Sequence, residues 1–94
     1  MAIHNTTATD LTLDRGELEQ LLAQSVRTFE GCAFDDADLA RLDLQGCTFE
    51  RCTFTGANLF RADLSQSFIN METRLDNAYT SRVKTLPKRD EELS

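Results

Sequence analysis

Residues 47–64 read CTFERCTFTGANLFRADL, and in them a bulky apolar residue returns every fifth position: Phe49, Phe54, Leu59 and Leu64. A helix repeats its buried face every three to four residues and a strand every two, so neither period accounts for the spacing. The step continues on both sides without a gap, through Phe29, Phe34, Leu39 and Leu44 before it and Ile69 after it. Two positions ahead of each stands a mostly small residue: Cys32, Ala37, Cys47, Cys52, Ala57, Ala62 and Ser67, with Leu42 large and Arg27 at the start of the series. The three remaining positions of each pentad are mainly polar. Each five-residue unit therefore offers two inward positions and three outward ones.

A longer period lies over the short one. Aligned with 47–66, residues 27–46 are identical at ten of twenty positions, and Phe falls on Phe and Leu on Leu. Self-similarity at a fixed period is the signature of a solenoid. Four pentads then make one turn of a square coil, with a bend at each corner. Successive turns pair as parallel strands about 4.8 Å apart. A slip by one side would set Phe over Leu, so the register is specified.

The stretch from Cys32 to Met71 resembles the pentapeptide-repeat family, whose pattern is A-[D/N]-L-x-x. ADLAR, ANLFR and ADLSQ match it literally; CTFER, CTFTG and CAFDD are its Cys/Phe variants; LDLQG and SFINM fit loosely. The resemblance implies a mainly β fold, a right-handed quadrilateral β-helix, here of about two coils. It also implies a function. Long acidic members of the family resemble a DNA rod and protect DNA gyrase by occupying its DNA-binding saddle.

The ends follow different rules. Residues 1–13 show no apolar period and are expected to be a flexible N-terminus, with the single histidine, His4, inside it. Over 14–26, Asp14 and Glu17 have the spacing of a capping box, and Leu18, Leu21, Leu22 and Val26 share one helical face. A helix there would cover the first coil of the 27–71 repeat. Beyond Ile69 the step breaks, with Arg74 where an apolar residue is due. Residues 72–94 are expected to form a short helix and then a solvated tail. A stub of two coils buries little, so the last coil is expected to meet a second chain or its own tail through Phe68, Ile69, Met71, Leu75 and Tyr79. A homodimer through that coil is the favoured arrangement.

Composition narrows the function. The net charge is −6, a sign that repels phosphate and suits a basic protein surface rather than nucleic acid itself. No apolar run is long enough to cross a bilayer, and the start has no basic cluster followed by an apolar core. A cytoplasmic protein of bacterial or phage origin is therefore expected, with delivery into a host cell left open. The three cysteines fall on inward positions, and no zinc-ligand spacing occurs. No metal, cofactor or catalytic residue is expected.

The outward acids of the repeat are Glu30, Asp35, Asp36, Asp38, Asp43, Glu50 and Asp63, and with Phe60 as an apolar anchor they form the candidate binding surface. Taken with this surface, the family resemblance implies a non-enzymatic nucleic-acid mimic that binds the basic surface of a nucleic-acid-handling complex, of the CRISPR surveillance or DNA gyrase type. The alternative is a structural or adaptor module, for example of a secreted bacterial effector.

Overall fold

The computed structural model describes residues 3–4, 7–70, 72–75, 78–84 and 88–89. Six short strands share one sheet: β1 (Ile3–His4), β2 (Thr7–Thr9), β3 (Thr28–Glu30), β4 (Thr48–Glu50), β5 (Phe68–Ile69) and β6 (Lys88–Arg89). They lie in chain order; β1 is antiparallel to β2, and every later neighbour is parallel. Single parallel bridges form three further ladders: Thr12, Ala33, Thr53 and Arg74; Asp38, Asn58 and Tyr79; Asp43 and Asp63. The 20-residue repeat is therefore met by four lines of parallel pairing, here called sides one to four in chain order.

Inward positions fill the space between the sides. Phe29, Phe34, Leu39, Leu44, Phe49, Phe54, Leu59, Leu64 and Ile69 are all buried, and so are the small residues two places before them from Cys32 onward. The phenylalanines of sides one and two stack on their own kind, Phe29 on Phe49 at 5.4 Å and Phe34 on Phe54 at 4.9 Å. Between sides they meet edge to face, as Phe34 does with Phe49 at 5.8 Å. The register Phe29 to Phe49 to Ile69 keeps a bulky residue over a bulky one.

The corners have their own requirement. Residues 31, 36, 41, 46, 51, 56, 61 and 66, the last of each pentad, all have φ between 54 and 73°. Glycine reaches this region without steric cost, which accounts for Gly31, Gly46 and Gly56. At the other corners a side chain accepts the left-handed conformation.

The helix α1 (Arg15–Ala23) is shorter than the 14–26 expected. Asp14 caps it: its carboxylate accepts from Glu17 N at 2.9 Å, and Glu17 Oε1 accepts from Asp14 N at 3.0 Å. Ser25, at φ 68°, ends it, with Val26 N donating to Leu21 O and Ser25 N to Leu22 O. That is a Schellman ending, which polar periodicity does not reveal. Leu18 is buried, and Leu21 and Leu22 pack on the core. Arg15 Nη1 reaches Asp38 O at 3.0 Å and Ala40 O at 2.9 Å, so the helix lies over the first level of side three.

Two expectations need correction. Residues 7–13 are not a flexible lead: β2 pairs with β3, Thr12 pairs with Ala33, and Ala8 and Leu13 are buried. LTLDR, residues 11–15, supplies the second side with one more level above CAFDD. Its neighbour's free strand edge orders it, a tertiary effect that local composition does not carry. His4 accordingly lies in β1.

The second correction concerns residues beyond 71. Arg74 pairs with Thr53 and Tyr79 with Asn58, each 21 residues earlier instead of 20, and Lys84 N donates to Ala62 O. One extra residue shifts the register. Thr73 then takes the slot of Cys52, Leu75 that of Phe54, and Ala78 that of Ala57. The expected short helix is replaced by β pairing over the described residues 72–75 and 78–84. Within the expected solvated tail, Lys88–Arg89 pair with Phe68–Ile69, which restores the 20-residue step.

Candidate interaction surface

The seven acids singled out in the sequence have different roles. Asp38 Oδ1 accepts from Ala40 N at 3.2 Å, Asp43 Oδ1 from Gln45 N at 3.1 Å and Asp63 Oδ1 from Ser65 N at 3.0 Å. Asn58 does the same with Phe60 N at 3.0 Å. An acceptor that bonds the amide two residues on makes an Asx turn. This is the physical reason for Asp or Asn at the second pentad position: it starts the corner. Asp35 Oδ1 instead accepts Thr55 N from the next level at 3.0 Å. Asp36 holds a left-handed corner and occupies the space beside Gly56.

Glu30 and Glu50 differ from these. They are direct ladder partners on adjacent parallel strands, both half-buried. Among the described residues neither enters a side-chain hydrogen bond or an ion pair. Like charges held opposite one another on neighbouring strands repel, and neither turn nor ion pair offsets that cost among the described residues.

The acids are not gathered on one wall. Glu30 and Glu50 stand on side one, Asp35 at the end of side two, Asp36 at the next corner, Asp38 on side three, and Asp43 and Asp63 on side four. Bases offset some of them. Arg15 Nη1 lies 3.8 Å from Asp38, and Lys84 Nζ lies 3.5 Å from Asp63. Hydrogen bonds from Ser65, with Lys84 nearby, hold the Asp63 carboxyl below its ordinary range.

Side three carries a feature that the sequence showed only in pieces. Phe60 stacks on Tyr79 at 6.2 Å, and the guanidinium carbons of Arg61 and Arg41 lie 5.2 and 5.9 Å from the Phe60 centroid. The stacking of Arg41 with Arg61 is legible from the 20-residue period, but Tyr79 enters only once the extra residue after 70 is counted.

The residues expected at a dimer interface or cap are spread over different environments. Phe68 faces outward on side one, half-buried, while Ile69 belongs to the core. Leu75 packs against the core and Tyr79 is exposed. Met71 lies outside the described residues.

The thiols of Cys32, Cys47 and Cys52 are free and buried. Cys32 Sγ donates to Ala8 O at 3.5 Å and Cys52 Sγ to Phe29 O at 3.3 Å. Burial pushes the Cys47 thiol up to about 11. Coupling between the stacked thiols draws Cys32 down and pushes Cys52 up. Among the described residues no group of three or more His, Cys, Asp or Glu side chains is placed to hold a metal ion, and no helix is long and apolar enough to cross a membrane.

The repeat has a counterpart among known families. Residues 29–69 match the family model for pentapeptide repeats, in eight copies. This segment, a little under half of the chain, is similar to the pentapeptide-repeat family. The matched span starts and ends at bulky inward residues of side one, Phe29 and Ile69, which face each other through Phe49. The pairing at 7–13 and beyond 71 continues the ladders outside it. A comparison with curated proteins found no match.

Proposed function

We propose that this pentapeptide-repeat chain is a non-enzymatic interaction protein, built as a right-handed four-sided β-helix. Its acidic outer surface occupies the basic, nucleic-acid-binding surface of a bacterial complex. The DNA gyrase and CRISPR surveillance classes are the partners to test first. The observation that carries this reading is the registered pair Glu30 and Glu50: two carboxylates one level apart, with no turn to build and no base to meet among the described residues. Their cost to the sheet is offset only when a partner supplies the opposite charge. Asp35 and Asp36 stand at the far edge of side two, one wall away from that pair.

Length supports a limited form of mimicry. Five parallel levels, β2 to β6, rise about 19 Å at the strand spacing. A duplex of that length carries about eleven charges, against a net charge of −6 for the whole chain. The surface therefore covers part of a nucleic-acid site rather than copying a long rod.

The test is binding of the purified complexes to charge-reversed protein. Glu30→Lys with Glu50→Lys is expected to weaken binding at least tenfold and to flatten its salt dependence, while the thermal midpoint holds or rises. Unchanged affinity would remove the reading.

A further inference from the structure

We propose that the edge between sides three and four is a second docking site, for an acidic segment of a partner protein, built from Arg41, Arg61, Arg82, Phe60 and Tyr79. Three arginines hold the same corner on successive levels, with φ of 64, 60 and 60°. Arg41 N donates to Phe60 O at 2.8 Å and Arg61 N to Ser81 O at 3.1 Å, so the column climbs one strand spacing at a time, about 4.8 Å. All three side chains are exposed. The corner itself does not demand arginine, since the equivalent corners are filled by Gly31, Asp36, Gly46, Arg51, Gly56 and Gln66. Three cations in one column, on a chain of net charge −6, make a local positive strip that suits an anionic partner.

The aromatic pair sets the class of that partner. Phe60 lies near both guanidiniums and stacks on Tyr79, which at 57% exposure is the exposed large apolar side chain among the described residues. Arginine with Tyr and Phe is the composition of protein interface centres. Guanidinium forks match carboxylates two bonds at a time. A continuous polyphosphate fits less well, because Asp38 on side three and Asp43 and Asp63 on side four flank the column. A short acidic segment with one apolar side chain places its carboxylates on the arginines and its apolar group on Tyr79. This site shares no acidic residue with the proposed mimic surface, so either can fail alone.

The test is an NMR titration of the labelled full chain with a blocked peptide of four glutamates around a tryptophan. The comparators are the same peptide with glutamines and a twelve-nucleotide oligothymidylate. The glutamate peptide is expected to shift the arginine Nε and the Phe60 and Tyr79 ring resonances. Arg41→Glu with Arg61→Glu should weaken it at least tenfold, and Tyr79→Ser about threefold, the loss of one partly exposed apolar contact. Arg41→Gln with Arg61→Gln removes the charge without adding repulsion and keeps the test if the first variant disturbs the fold. Equal shifts with the glutamine peptide, tighter binding of the oligothymidylate, no shift at all, or unchanged binding by the variants would each overturn the proposal.

Discussion

Thr73 fills a slot that two cysteines fill on the levels above it, and its hydroxyl does work that sulfur cannot. Its Oγ1 accepts from Cys52 N at 3.0 Å and lies 3.0 Å from both Phe49 O and Asn70 Oδ1, one of which takes its hydrogen. Thr73→Val keeps the shape and leaves a buried amide without its partner, which costs about 1–3 kcal/mol. Chemical denaturation should show that loss, whereas Thr73→Ser should stay close to the parent. Phe49 meets the rings of Phe29 and Phe34 on the level above and of Phe54 on its own level, so Phe49→Ala should cost about 3–5 kcal/mol. Inward residues were the most legible part of the sequence, because the five-residue step repeats in the chain itself. Thr73 was not legible: one extra residue ahead of it puts Arg74 on the expected apolar position, and only the pairing of Arg74 with Thr53 shows the shift.

At the scale of elements, α1 was readable because Asp14 and Glu17 carry its start in their spacing, and its end was less so because a serine closes it. Asp14→Ala removes the capping bonds and should lower stability by about 1 kcal/mol. Arg15→Met tests the other function of the helix, closing the first level of side three through Asp38 O and Ala40 O. Hydrogen exchange at Asn58, whose amide donates to Ala37 O one level up, should change little, while the first-level amides exchange faster. The stretch at 7–13 was illegible for a physical reason. A strand of Thr7, Ala8 and Thr9 has little to bury alone, and β3 supplies the partner that orders it. The outward acids divide in the same way. Their positions follow from the pentad, but the turn-making role of Asp38, Asp43 and Asp63 becomes visible only in the bonds to the amides two residues on.

Over the whole molecule, charge and core answer to different conditions. The depressed Asp63 carboxyl contributes stability that is present above the unfolded value near pH 4 and is lost as the pH falls through its lower folded value. Asp63→Asn retains an acceptor for Ser65 N, so its thermal midpoint should fall below the parent's at pH 7 and converge with it in strong acid. The thiols should stay silent to a thiol reagent at pH 8 until denaturant is added, because access to all three is closed by the core. The outer surface carries the function proposed here, and its most direct measurement is competition. Labelled duplex DNA is bound to purified gyrase, and in parallel to a CRISPR surveillance complex, and the chain is titrated in at moderate salt. The parent protein is predicted to displace DNA from at least one of them, and the Glu30→Lys, Glu50→Lys protein to fail at tenfold higher concentration while keeping its fold. Displacement by both proteins at equal concentration would contradict the account, as would binding by the parent that leaves the DNA in place.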